Sequence, residues 1–161
     1  MLNLSFFDFL EELQIVHGET GSIRGAPDEW VDGIQCSNKL RLALLWEDDE
    51  NYEEVHQEKY QNEFIFNLFQ FLILGGSMNQ YDDDVTEYLT ETKNLYKDLV
   101  TVAKDQETGD VKTQCFVFKI NGITSDNGPK IEFDNHPQDF FYVIVDPLHW
   151  HVTCFTNKWS T

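Results

Sequence analysis

Near Asp98 the spacing of apolar side chains changes from a helical period to a strand period, and that switch restricts the fold more than any other feature of the chain. Before it, Val85, Tyr88, Leu89, Thr92, Leu95, Tyr96 and Leu99 recur at i, i+3, i+4, i+7 spacing, the stripe of an amphipathic helix. After it, "LVTVAK", the turn "DQETGD" and "VKTQCFVFKI" read as one hairpin, and "DFFYVIVD", the turn "PL" and "HWHVTCF" as another. Helices followed by antiparallel strands define an α+β domain. The expected architecture is an N-terminal helical half packed on a C-terminal antiparallel meander of about four strands. Residues 1–161 are read as one acidic domain, with helices over about 38–98, hairpins over about 99–157, and 1–36 the least defined part.

Upstream of the switch, "FIFNLFQFLIL" from Phe64 to Leu74 is apolar almost all round, so it must lie inside the domain. Asn67 and Gln70 interrupt it, and it is too short to cross a bilayer. Gly75-Gly76 ends the helix, because glycine adopts the left-handed conformation after a helix C-terminus without a Cβ penalty. Ser37 is placed to cap a short helix in "NKLRLALLW", with Leu40, Ala43 and Leu44 on one face, and Ser5 to cap another carrying Phe6, Phe9, Leu10 and Leu13. "HGETGSIRGAPDE", His17 to Glu29, reads as a loop. It lacks the G-K-[ST] sequence and flanking elements of a phosphate loop.

Charge narrows the partners. With 29 acidic and 11 basic residues the formal net charge is -18, which repels phosphate backbones and anionic headgroups. Neither nucleic acid nor a membrane is the expected partner; a basic protein surface is. The three cysteines, Cys36, Cys115 and Cys154, form no C-x-x-C pair and read as reduced thiols of a cytosolic protein. The first residues carry acids by Asp8 and do not resemble a secretory or mitochondrial signal.

Two clusters carry ionisable groups that chemistry could use. Asp82-Asp83-Asp84 precedes the striped helix, where carboxylates cap free N–H groups and face the positive end of the helix dipole. An EF-hand reading fails: twelve residues counted from Asp82 end on Lys93, and from Asp48 on Lys59, where calcium needs Glu. His149 and His151, with Asp146, His136 or Cys154 nearby, could suit zinc. The alternation of Trp150, Val152 and Cys154 instead makes the two histidines the polar side of a half-buried strand. No G-x-S-x-G elbow is present, so no catalytic residue, cofactor or metal ligand is assigned.

The segment Asn62 to Ile120, with its E-F-x-F helix, L-x-L-G-G, Q-Y-acidic-acidic turn and "YLTETKNLYKDLV", together with "FFYVIVDP", strongly resembles the C-terminal region of the cilia- and flagella-associated protein 300 family. The likeness extends more weakly back through "LRLALLWEDDENYE" and "LSFFD". It implies a non-enzymatic adaptor or assembly factor of axonemal dynein arms, found in cytoplasm and cilium. The implied partners are dynein axonemal assembly factors, axonemal dynein subunits and the intraflagellar transport machinery. It also implies a further N-terminal region ahead of "SFF" in other members, whose functions do not transfer to these residues. A stable axonemal component is one alternative, and a small metal-binding or enzymatic domain using Asp82–Asp84 and His149/His151 is another. For docking, the expected site is Tyr81 with Asp82, Asp83 and Asp84: carboxylates would steer a basic partner and the aromatic ring would hold it.

Overall fold

In the computed structural model, residues 4–75, 83–104, 111–124, 128, 130–133 and 136–159 are described. The chain divides into two compact units, Met1–Asn94 and Leu95–Thr161. Together they have the α+β character expected, with helices predominating in the first and antiparallel strands in the second.

The first unit opens with a 3-10 turn, Leu4–Phe7, and the short helix α1, Phe9–Glu12. The segment read as a loop then contains a strand. β1, Gly25–Val31, pairs antiparallel with β2, Ile34–Asn38. Asp32 and Gly33 join them with φ of 49° and 79°, and two consecutive positive φ values twist the chain as a two-residue hairpin requires. Pro27 falls where the register of β1 shifts, at a position that no central strand would tolerate.

Helix α2, Lys39–Leu45, follows directly. Its cap is Asn38, one residue beyond the Ser37 expected, and the Asn38 carboxamide oxygen accepts from the Arg41 backbone N–H at 2.9 Å. Every residue from Leu40 to Leu45 is buried, Arg41 included, so α2 is wrapped on all sides and not on a single face. The segment that leads into the expected apolar helix is broken into short pieces, α3, Tyr52–Val55, and α4, Glu58–Gln61, before α5, Phe64–Leu74. Gly75 ends α5 with φ of 69° and its N–H on the Phe71 carbonyl, as the glycine predicted. An aromatic cluster joins the N-terminus to these pieces: Phe9 stacks on Tyr60 at 4.0 Å and Phe7 tilts against Phe69 at 4.6 Å.

Arg41 organises the middle of this unit. Its residue is 2% exposed; Nε donates to the Ile73 carbonyl at 3.3 Å and Nη2 to the Tyr88 hydroxyl at 3.4 Å. One planar guanidinium thus links α2, the last turn of α5 and α6, Val85–Leu99. Of the α6 stripe, Val85, Tyr88 and Thr92 are buried, while Leu89, Leu95, Tyr96 and Leu99 are half-buried. The Cys36 thiol in β2 is also buried, and burial pushes it up to about 11 against the opposing pull of the Arg41 charge.

The second unit contains three small sheets among its described residues. β3, Val102–Lys104, pairs with β4, Val111–Thr113, as the first expected hairpin. The second strand of that hairpin breaks, however, at Gln114-Cys115. Gln114 N–H donates to the Thr101 carbonyl at 2.9 Å, and Thr101 N–H donates to the Cys115 sulfur at 3.3 Å. The chain turns there, and β5, Phe116–Lys119, leaves for another sheet. It pairs with β8, Phe140–Asp146, which pairs with β9, His151–Asn157, in the order β5-β8-β9. Between them β6, Gly122–Ile123, and β7, Ile131–Glu132, form a two-stranded ribbon.

Asp146 closes the β8–β9 hairpin. Its carboxylate accepts from the Thr101 hydroxyl at 2.6 Å, from the backbone N–H groups of Leu148 and His149 at 2.9 and 3.0 Å, and lies 2.8 Å from His149 Nδ1. The Thr101 hydrogen bond first, then that of His149, holds this carboxyl well below the usual aspartate range.

Two measurements test these anchors. Arg41→Ala is expected to cost about 3 to 5 kcal/mol in urea unfolding, because it opens a cavity and strands a carbonyl and a hydroxyl, while Tyr88→Phe costs about 1 kcal/mol. The double variant should lose less than the sum of the two. A depressed folded-state pKa means that Asp146 contributes stability above the unfolded aspartate value, about 3.9, and loses it as pH falls through the lower folded value. Asp146→Asn should therefore be less stable than the parent at pH 7, by a margin that shrinks below about pH 4. Parallel stability curves from pH 7 to pH 2 would refute this role.

Candidate functional site

The acidic turn is built into the first unit by its backbone. Asp83 accepts from the Ile23 N–H at 2.6 Å, and the Val85 N–H donates to the Gly21 carbonyl at 2.9 Å, so residues 83–85 run beside 21–23. Gly21 has φ of 72°, and a Cβ there would lie 2.5 Å from Thr86 Oγ1 and 2.9 Å from Asp84 Oδ1, so only glycine lets the two segments approach. Asp84 Oδ1 accepts from the Thr86 N–H at 2.8 Å, the bond of a helix N-cap. Asp84 is half-buried by this task and Asp83 is exposed. Tyr81 and Asp82 lie outside the described residues.

Beside the turn an open cleft of about 320 Å³ is lined by Leu10, Glu11, His17, Val85, Thr86 and Leu89, among others. The Glu11 carboxylate lies against Gly18, where an added Cβ would meet Oε1 at 1.9 Å. Among the described residues no three His, Cys, Asp or Glu side chains gather closely enough to hold a metal ion.

The histidine cluster takes a different form from the one its spacing predicts. Strand β9 begins at His151, and His149 belongs to the preceding turn, bound to Asp146. Trp150 between them has φ of 56°, so alternation does not run through it. His136 is engaged elsewhere, accepting from the Gln138 N–H at 3.1 Å and stacking on Trp159 at 5.1 Å. Cys154 pairs in register with Val143, on the sheet face opposite Asp146.

A surface that the sequence reading missed lies on this sheet. The register aligns Phe116, Val145 and Val152 in one row and Phe118, Val143 and Cys154 in the next. These rows face outward, because Phe140, Tyr142, Ile144 and Asp146 alternate to the buried side. Phe116 is 60% exposed, Phe118 50%, Val152 63% and Trp150 92%. Alternation did show that Val152 and Cys154 share an apolar face, but it is β8 that places this face toward solvent. Net charge is unevenly divided between the two units. Residues 1–94 hold 20 of the 29 acidic and 5 of the 11 basic residues, a net of -15, leaving -3 of the total -18 for residues 95–161.

Comparison with known proteins assigns the family. Residues 1–157 match the model of the family described as cilia- and flagella-associated protein 300. The chain is 34% identical over 158 residues to the protein of that name from Paramecium tetraurelia, covering 98% of this chain and 60% of the relative. To the protein of that name from Chlamydomonas reinhardtii it is 35% identical over 151 residues, covering 92% and 58%. The chain thus spans about three-fifths of the length of these relatives. No solved structure matches it. With the family model matched from residue 1 to residue 157 and about a third of the aligned residues identical to those of each of these two relatives, the chain belongs to the cilia- and flagella-associated protein 300 family.

Proposed function

We propose that this protein is a non-enzymatic adaptor that assembles axonemal dynein arms or delivers them into the cilium. Its membership of a cilium- and flagellum-associated family, matched over residues 1–157, is the observation that carries the reading. Its partners in this reading are dynein axonemal assembly factors, axonemal dynein subunits and the intraflagellar transport machinery, met in the cytoplasm and along the axoneme. Nucleic acid and membrane are not partners, since a net charge of -18 opposes both. No helix among the described residues is long and apolar enough to cross a bilayer.

Two chemically different surfaces suit such work: an acidic unit steers a basic protein at long range, and an apolar sheet face holds one at contact. Tyr81, Asp82, Asp83 and Asp84 are the acidic docking site in this proposal. Asp84 also caps α6, so a variant that separates docking from folding changes Tyr81→Ala, Asp82→Lys and Asp83→Lys and keeps Asp84.

Removing the gene from a ciliated cell is expected to leave cilia that lack dynein arms in cross-section and beat weakly. Intact arms in such cells would overturn the reading. Salt-washed axonemes of normal cells should be depleted of the protein; retention there would make it a stable axonemal component. In the null cell, the Tyr81/Asp82/Asp83 variant should restore fewer arms than the parent protein, and full restoration would remove the turn from the docking site.

A further inference from the structure

We infer that β9 is a self-pairing edge: two copies of the chain join antiparallel along it, about a two-fold axis at Cys154, so that their β5-β8-β9 sheets continue into one. The inference does not depend on the adaptor reading, and its test is made on the purified chain.

The register shows which backbone groups of β9 are open. Ile120 N–H donates to the Phe141 carbonyl at 2.8 Å, so Phe141, and with it Val143 and Val145, turns its backbone N–H and C=O toward β5. Phe140, Tyr142, Ile144 and Asp146 turn theirs the other way, toward Asn157, Phe155, Thr153 and His151 of β9. The N–H and C=O groups of Val152, Cys154 and Thr156 therefore point away from β8, on a side where no further strand of the sheet lies among the described residues. All three residues are exposed.

The other edges are guarded and this one is not. An open row of backbone donors and acceptors templates another strand, and monomeric proteins blunt it with proline, lysine, a bulge or a very short strand. β1 carries Pro27, Asp28, Glu29 and a shift of register. β5 has four residues and ends on Lys119, while β3 and β4 have three each and carry Lys104 and Lys112. β9 runs for seven residues without a lysine, a carboxylate, a proline or a shift of register.

The symmetry of the strand selects a second copy as its occupant. Antiparallel pairing about Cys154 sets Cys154 against Cys154 of the other copy and Val152 against Thr156, so every outward N–H meets an outward C=O and none is left over. On the opposite face burial is graded along the strand: His151 and Thr153 are exposed, Phe155 and Asn157 half-buried. The same axis lays Phe155 of one copy beside Thr153 of the other and Asn157 beside His151, so the bare end of each strand meets the fuller end of its partner. No lysine or carboxylate of either strand opposes its like. The formal charge of -18 on each chain repels at long range, and salt screens it. One strand pair buries far less than the roughly 1,600 Å² of a standard interface, so the dimer is weak and concentration-dependent.

Sedimentation equilibrium of the purified chain up to about 1 mM should show a mean mass rising from 18.9 kDa toward twice that value, with more dimer as salt rises. A single species of one chain's mass over that range would overturn the inference. A short bismaleimide should join Cys154 to Cys154 between copies, because facing residues of such a pair lie about 5.5 Å apart at Cα. Dimers cross-linked through Cys115 and not Cys154, located by mass spectrometry, would also overturn it. Cys154→Lys and Cys154→Glu, each shown by its melting curve to fold, set like charges against each other across the axis and should weaken self-association at least about fivefold. Mixed one to one, the two variants should pair again. Undiminished self-association of either variant, or failure of the mixture to pair, would reject the edge. A Phe116→Thr/Phe118→Thr variant changes the apolar face of the sheet and leaves β9 intact, so it should dimerise as the parent does; loss of the dimer there would assign the contact to that face and refute the edge.

Discussion

A single guanidinium inside the first unit sets the arrangement of its helices. A guanidinium is rich in N–H donors, so burial of Arg41 at 2% exposure is stable only while fixed oxygen acceptors receive them. Ile73 provides a carbonyl from the end of α5 and Tyr88 a hydroxyl from α6, and both helices are held where those atoms can be reached. Asn38 fixes the other end of the problem: by capping α2 on the Arg41 N–H, it sets the rotation from which that side chain leaves the helix.

The second unit is organised by a carboxylate in place of a cation. Asp146 gathers Thr101, two backbone N–H groups and His149 at the end of β8, while Thr101 also joins the bend at Gln114 and Cys115. That bend detaches β5 from the β3–β4 hairpin and delivers it to β8 with Phe116 and Phe118 outward. A local hydrogen-bond decision thus turns apolar side chains of a cilium- and flagellum-associated protein toward solvent. Most of the acidic side chains belong to one unit and the exposed apolar rows to the other.

Much of the architecture was legible along the chain because it depends on local period. The α6 stripe, the end of α5 at Gly75, the β3–β4 pair and the β8–β9 pair all follow from spacing and turn chemistry over fewer than twenty residues. The β1–β2 hairpin carried its own signal in Asp32-Gly33, between Val31 and Ile34, but the glycines and proline upstream concealed it. The resemblance in "FIFNLFQFLILGG" and "FFYVIVDP" likewise named the family from the residues alone.

Tertiary structure decided the rest, for a physical reason that is the same in each case. Sequence period shows which side chains share a face, but not what that face meets. Arg41 lies off the face of Leu40, Ala43 and Leu44 that spacing selects, yet acceptors 32 and 47 positions away enclose it. Val152 and Cys154 read as the apolar side of a half-buried strand until β8 buries the opposite side with Phe140, Tyr142 and Ile144. Composition and spacing by themselves determined an acidic α+β chain, and the resemblance of its motifs pointed to the family. Which charge lies inside it, and which apolar face stays exposed, are properties of contacts distant in sequence, and only the folded chain holds them.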